Sequence, residues 1–97
     1  MEKPITLTLH LKDGDKTFTA KRVPLQTSID AADMLEQLGD MTVFSWAKAI
    51  STKAKFVAGL FDDKEVTQKA ILDGMYYSEQ FELDEILSTI ITGEPKN

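Results

Sequence analysis

The chain has 97 residues, so it is long enough to bury one modest hydrophobic core and too short for two. Hydrophobic residues make up 42% of it and charged residues 28%, which is typical of a folded domain and excludes the composition of a disordered chain. The formal net charge of -5 disfavours non-specific binding to nucleic acid or to an anionic membrane. The absence of cysteine excludes disulfides, thiolate catalysis and thiolate metal sites, and it favours a reducing compartment.

The N-terminal residues do not form the apolar run of a signal peptide, and no stretch of the sequence approaches the length of a transmembrane helix. We therefore expect a cytoplasmic protein with no membrane partner.

Strict alternation of apolar and polar residues over residues 5–11 predicts a half-buried β-strand. The dipeptide Asp13-Gly14 is typical of a two-residue hairpin loop. That loop predicts two cross-strand pairs, Leu9 with Phe18 and Leu7 with Ala20. A two-stranded hairpin is marginally stable in water, so this one, at about residues 5–22, should pack its apolar side on the helices that follow.

Apolar residues at helical spacing predict helices at about residues 28–38, 42–61, 64–73 and 79–92. The first should bury Ile29, Ala32, Leu35 and Leu38, and the last Leu83, Ile86, Leu87, Ile90 and Ile91. Predicted N-caps are Thr27 or Ser28 for the first helix, Asp62 with Glu65 as a capping box for the third, and Ser78 for the fourth. Predicted helix ends are Gly39, Asp73-Gly74 and Gly93. The predicted fold is α+β, a single domain over residues 1–97 with an N-terminal β-hairpin packed on a bundle of about four α-helices.

Residues that could support catalysis or bind a cofactor are sparse. The single histidine, His10, falls on the polar side of the first strand, where we interpret it as a solvated strand residue. A calcium loop starting at Asp13 would need a glutamate at its twelfth position, where Pro24 stands. The glycines are too scattered to form a phosphate-binding loop. We expect no catalytic residue, no cofactor and no metal, and hence a protein that is not an enzyme.

The helix predicted at residues 42–61 carries more apolar residues than a surface helix needs. One stripe consists of Val43, Ala47, Ile50, Ala54, Val57 and Phe61, and a second of Trp46, Ala49, Phe56 and Leu60, interrupted by Lys53. Both stripes could be core, or the second could bind a partner or another copy of the chain; the pattern leaves the two alternatives open. Aromatic residues dominate interface energetics. The candidate partner-binding residues are therefore Phe44, Trp46, Phe56, Leu60, Met75, Tyr76 and Tyr77.

Charge is distributed unevenly along the chain. Residues 42–61 contain three lysines and no acid, whereas residues 62–97 contain nine acids and three lysines. A nucleic-acid-associated regulator would have to bind through these few lysines while the acidic helices repelled phosphate. Binding to nucleic acid is therefore disfavoured, and attraction between the basic and acidic segments of two copies favours self-association.

Taken in order, these elements resemble the tail assembly chaperones of long-tailed, siphovirus-type bacteriophages and prophages, especially those of Gram-positive bacteria. The resemblance spans nearly the whole chain. It rests on Ile5-Thr6-Leu7-Thr8-Leu9, the charged turn before Phe18, the junction Phe61-Asp62-Asp63 leading to Val66, Ile71 and Asp73-Gly74, and the ending Ile90-Ile91-Thr92-Gly93. The segment Met75-Tyr76-Tyr77 is more aromatic than that pattern.

The resemblance implies a non-catalytic protein of the bacterial host cytoplasm that binds and solubilises the tape measure protein and assists assembly of the tail tube. The tail tube protein is a second candidate partner. The alternatives to this interpretation are a small nucleic-acid-associated regulatory protein and a general protein-interaction adaptor.

Overall fold

The computed structural model describes residues 4–20, 23–39 and 46–93. Two antiparallel strands are followed by four α-helices and one short 3₁₀ helix, which confirms the predicted α+β fold. The elements are β1 (Ile5–Leu11), β2 (Gly14–Ala20), α1 (Leu25–Leu38), α2 (Trp46–Ala58), α3 (Gln68–Gly74), the 3₁₀ helix (Tyr77–Glu79) and α4 (Phe81–Thr92). Within these described ranges, none of the helices has the length and apolar character needed to cross a membrane.

The hairpin differs from its predicted register by two residues. Leu7 pairs with Phe18 and Ile5 with Ala20, so the predicted pairs of Leu9 with Phe18 and Leu7 with Ala20 were wrong. The turn lies at Lys12 and Asp13, and the positive φ of 115° is at Gly14, which begins β2. A shift of two residues keeps every side chain on the same face of the sheet, and the apolar side of the hairpin is therefore buried as predicted.

The first helix starts earlier than predicted, at Leu25, and is preceded by Pro24 in extended backbone. Neither Thr27 nor Ser28 caps it, because both lie inside the first turns of the helix, and the Ser28 hydroxyl donates instead to the carbonyl oxygen of Ile90 at 2.6 Å. The predicted end is confirmed at Gly39, whose φ is 60°.

The middle helices also begin and end at different residues from those predicted. The described part of the second helix is α2, which ends at Ala58 and gives way to a turn, and residues 42–45 of the predicted span lie outside the described residues. The third helix begins at Gln68, since the Thr67 hydroxyl accepts from the Ala70 backbone N–H at 3.0 Å. The Asp62–Glu65 capping box was therefore wrong. Asp63 instead accepts from the Glu65 backbone N–H at 2.9 Å and holds the turn that precedes α3.

The last predicted helix, at about residues 79–92, corresponds to α4, and the 3₁₀ helix lies directly before it. Ser78 is not its N-cap, because it lies within the 3₁₀ helix. Gly93 ends α4 with a φ of 74°, in agreement with the prediction. The buried face of α4 consists of Leu83, Ile86, Leu87 and Ile90, all of which were predicted to be apolar core positions.

The core joins the apolar side of the hairpin to the helices. Helix α4 packs against both α1 and α2, while α3 packs against α2 and β1. Among the described residues, the largest fully buried side chains are those of Leu7, Leu9, Val57, Ile71 and Leu87. These residues come from β1, α2, α3 and α4, so the core is built mainly by those four elements.

Candidate partner-binding surface

The predicted partner-binding residues occupy three separate places on the chain. Trp46 is at the start of α2, and Phe56 and Leu60 are near its end. Met75, Tyr76 and Tyr77 belong to the connection between α3 and α4, and Phe44 lies outside the described residues. Trp46 and Phe56 are about 15 Å apart along the helix axis, at 1.5 Å per residue. Phe56 and Leu60 therefore lie near each other and away from Trp46 along α2, while Met75, Tyr76 and Tyr77 are neighbours in the connection.

Trp46 is half exposed, at 48%, at the N-terminal end of α2. The residues that continue along the second apolar stripe are more buried: Ala49 is part of the interior, and Phe56 and Leu60 are half-buried and packed against the core. The first stripe is mostly core as well, at Ala54, Val57 and Phe61. Most of both stripes thus contributes to folding, and the ends of the helix keep apolar surface.

Phe56 and Leu60 line one wall of a groove between α1 and α2, with a volume of about 670 Å³. Val23 and Met34 provide apolar surface on the other wall. Residues 27–34 of α1 thus face the second half of α2 across the groove. The groove exists because both helices are held by α4 and leave open space between them.

The two walls of the groove carry opposite charge. Helix α1 contains three acids and no basic residue, and of these acids Asp30 lines the groove. Helix α2 contains lysines and no acid, and of these Lys55 lines the groove. Asp62, just beyond α2, adds a second carboxylate. A partner in the groove would meet negative charge along α1 and mixed charge along α2.

Helix α1 presents apolar side chains to solvent, and two of them, Ile29 and Ala32, were predicted from the sequence to be core. Leu25 is 79% exposed, Ile29 is 51% exposed, and Ala32 is exposed as well. The buried side of α1 is rotated toward Ala31, Met34 and Leu35, because the small residues Ser28 and Ala31 allow close approach to α4. The prediction that Ile29 and Ala32 belong to the core was therefore wrong. At about 100° per residue, these two residues lie on the side of α1 that faces away from the groove-lining residues Thr27, Asp30 and Met34.

His10 is a partnered residue, so its interpretation as a solvated strand residue was wrong. Its side chain is 19% exposed, and its ring nitrogens contact two carboxylates, Nδ1 to Asp15 at 2.7 Å and Nε2 to Glu79 at 2.9 Å. Its ring also stacks on Tyr76, with centroids 4.0 Å apart and planes 5° from parallel. We call these four residues the His10 cluster. It attaches the connection between α3 and α4 to the end of the hairpin.

The His10 cluster favours the charged forms of its members. An ionised carboxylate can only accept a hydrogen bond, so His10 makes both contacts as hydrogen bonds when both of its ring nitrogens donate, that is, in the imidazolium form. The hydrogen bond to Asp15, followed by that to Glu79, raises the pKa of His10 above its usual 6.5. The pKa of Glu79 is lowered, first by the backbone N–H of Tyr76 and then by His10. Since both ring nitrogens are engaged, the cluster offers no free base for a nucleophile, and its evident role is attachment.

The attached connection keeps much of its aromatic surface exposed. Tyr77 is 88% exposed, and Tyr76 is 60% exposed although one face of its ring lies on His10. Met75 is half-buried against the core. Phe81, at the first position of α4, is also exposed. The connection therefore combines a fixed backbone with exposed aromatic rings, which is a favourable arrangement for an interface anchor.

Lys53, which the sequence placed as an interruption of an apolar stripe, is 5% exposed and lies in the interior beside α4. Its Nζ donates to Asp84 Oδ1 at 2.8 Å. The pair joins α2 to α4 at the surface end of the lysine side chain, so the lysine stem contributes to packing while the charge is compensated. Lys53 and Asp84 are 31 residues apart in the sequence, so no local sequence pattern indicates that they pair.

No cluster of histidine and carboxylate side chains within residues 4–20, 23–39 and 46–93 has an arrangement suited to a metal ion. Comparison with protein families finds one match, to the model described as phage tail chaperone protein, over residues 2–97. Searches of curated proteins and of solved structures find no match to the chain.

Proposed function

Because the chain belongs to the phage tail chaperone family, we propose that it binds and solubilises the tape measure protein and so assists assembly of the tail tube. It does so without catalysis, in the cytoplasm of the bacterial host. The tail tube protein is a second partner in this proposal, and the chaperone also associates with copies of itself through its basic and acidic segments.

The observation that carries the proposal is the amount of large apolar side chain left exposed on a small domain. Aromatic side chains are enriched at protein–protein interfaces, where a few of them often carry much of the binding energy. The exposed large apolar residues among those described are Leu25, Ile29, Trp46, Leu72, Tyr76, Tyr77 and Phe81. A chaperone needs such surface, because it must cover apolar side chains that its client later buries elsewhere.

Neither alternative function has comparable support. A nucleic-acid-associated regulator would need a basic surface, yet α4 carries Glu82, Asp84 and Glu85, and α1 carries three acids and no base. A general adaptor would use the same apolar surface, so it differs from a chaperone in the identity of the partner and not in the chemistry of binding.

The test is co-expression of the candidate tape measure protein with and without this chain, scoring the soluble fraction of the client. We expect the client to be soluble in the presence of the chain and to aggregate without it. An equally insoluble client in both cases would refute the proposal for that pair.

A variant can separate binding from folding. Trp46→Glu should reduce the soluble fraction of the client severalfold while leaving the thermal transition of the chain within about 3 °C of wild type, because Trp46 is half exposed. Phe56→Glu is the matched comparison, since Phe56 packs against the core and its replacement should lower stability as well as binding. If Trp46→Glu unfolds the chain, Trp46 is part of the core and not an interface residue.

A further inference from the structure

We propose that the groove between α1 and α2 binds an amphipathic helix of the client, oriented so that basic residues of that helix lie against α1. The inference rests on the proposed chaperone function, and it adds where the client binds and what chemistry the chain selects.

The shape of the groove fits a helix. Its walls are two helices that pack on α4 and leave space between them, so a third helix laid along the groove can pack its side chains against both walls. The lining residues of α1 run from Thr27 to Met34, about 10 Å at 1.5 Å per residue, and Val23 extends the wall beyond the start of the helix. That length matches about two turns of a client helix, which present apolar residues at positions i, i+4 and i+7 along one face.

The walls of the groove supply apolar contacts for the apolar positions of the client helix. Val23, Met34, Phe56 and Leu60 line the groove and are half-buried, so each has apolar surface left to cover. Met34 has a flexible side chain that adapts to client residues of different shape. Such a surface suits a chaperone, which binds several segments of one long client.

Charge determines the orientation of the client helix in the groove and disfavours a second copy of the chain as the occupant. Asp30 on α1 and Asp62 beyond α2 line the groove, Lys55 lines the α2 wall, and α1 has no basic residue. A client helix with lysine or arginine beside its apolar face is therefore attracted to the α1 wall, and Lys55 disfavours placing those basic residues against α2. Helix α1 of a second copy has an exposed apolar stripe but carries three acids and no base, so it would bring carboxylates against carboxylates. Helix α2 of a second copy carries lysines, but most of its apolar stripe residues are already packed in the core, so a client helix is favoured over a second copy.

The test uses two fluorescein-labelled helical peptides with the same leucine stripe, one flanked by lysines and the other by glutamates. Fluorescence anisotropy with the full chain should show the lysine peptide binding at least about fivefold more tightly at low salt, with the difference shrinking as ionic strength rises. Equal affinity for the two peptides would contradict the proposal that the groove prefers a basic helix.

Two charge-reversal variants on the same helix locate the site. Asp30→Lys changes a residue of the groove, while Asp33→Lys makes the same change on α1 at an exposed residue that does not line it. We expect Asp30→Lys to weaken the lysine peptide about five- to tenfold and to improve the glutamate peptide, and Asp33→Lys to change either by less than about twofold. Equal effects of the two variants would mean that the net charge of the chain, and not the groove, selects the peptide.

Client solubility separates this inference from the chaperone function. Co-expression with wild type that fails to solubilise the client refutes the function itself. If wild type solubilises the client and both Asp30→Lys and Met34→Asp do so equally well, the chaperone function stands and the groove is the wrong site. If light scattering shows a wild-type dimer that Met34→Asp converts to a monomer, a second copy occupies the groove and the inference is overturned.

Discussion

Gly74 is a position where packing against another element, and not backbone conformation, requires glycine. It ends α3 without a positive φ, so an L-residue could adopt its backbone conformation. A Cβ added there would lie 3.2 Å from the Cβ of Leu9 and 3.5 Å from the backbone nitrogen of His10. Leu9 is fully buried and paired within the sheet, so its Cβ can retreat only if β1 moves away from α3.

Two opposing effects determine how much Gly74→Ala changes the free energy of unfolding. Overpacking a core contact costs about 1–3 kcal/mol, while replacing glycine by alanine lowers the entropy of the unfolded chain and gains about 0.4–1 kcal/mol. We therefore expect Gly74→Ala to lower the free energy of unfolding by about 1 kcal/mol, which corresponds to a fall in melting temperature of about 5 °C for a domain of this size.

The assay is thermal unfolding followed by circular dichroism, with urea titration to check that the m-value is unchanged. Gly59→Ala is the matched control, because its Cβ would lie 3.4 Å from the carbonyl oxygen of Phe56, at the edge of ordinary contact. We expect that control to stay within about 0.5 kcal/mol of wild type. A Gly74→Ala variant as stable as wild type would show that the contact between α3 and β1 is looser than the structure has it, and the reasoning would fail.

Two further predictions concern the hairpin. Leu9→Ala should lower the free energy of unfolding by about 2–5 kcal/mol, because Leu9 is fully buried. Leu25→Ala is the control at an exposed residue of α1 and should change the free energy of unfolding by less than about 0.5 kcal/mol. If urea titrations give similar values for the two variants, the buried face of the hairpin is misassigned. His10→Gln should lower the stability of the chain most at a pH between 4.5 and 6.5. These limits are the usual pKa values of Glu79 and His10. The raised pKa of His10 makes its contribution complete below 6.5 and lost as pH rises through the raised value, whereas the lowered pKa of Glu79 makes its contribution complete above 4.5 and lost as pH falls. Melting temperatures of both proteins at about pH 6 and pH 8.5 check this, and a difference that grows toward the higher pH would contradict it.

The sequence was sufficient to predict the fold because its strongest patterns are periodic. Alternation in residues 5–11 predicted β1 and its buried side, and glycines at 39 and 93 predicted two helix ends. The hairpin register could not be predicted, because a shift of two residues preserves the buried side and only the turn geometry decides between the alternatives. Caps were mispredicted where several hydroxyl or carboxylate residues stood near a helix start, as at Thr27 and Asp62.

Less of the candidate site could be predicted, because it depends on contacts between distant parts of the chain. Phe56 and Leu60 were predicted from their helical spacing, but the groove that they line also needs Met34 from α1. The pairing of His10 with Glu79 joins residues far apart in sequence, and nothing in either local pattern indicates it. The exposure of Ile29 follows from the rotation of α1 on α4, which a helical repeat alone does not fix.

The distribution of buried side chains divides the domain into a firmly packed part and a lightly anchored helix. The fully buried large side chains come from β1, α2, α3 and α4, whereas α1 buries a single small residue, Ala31, and is held on α4 in part by the hydrogen bond from Ser28 to Ile90. Elements with few buried apolar contacts have the lowest local stability in a fold. The position of α1 sets the width of the groove, because α1 forms one of its walls. In the proposed binding mode, one firmly packed wall and one lightly anchored wall would allow the groove to adjust to client helices of different bulk at little cost to the rest of the core.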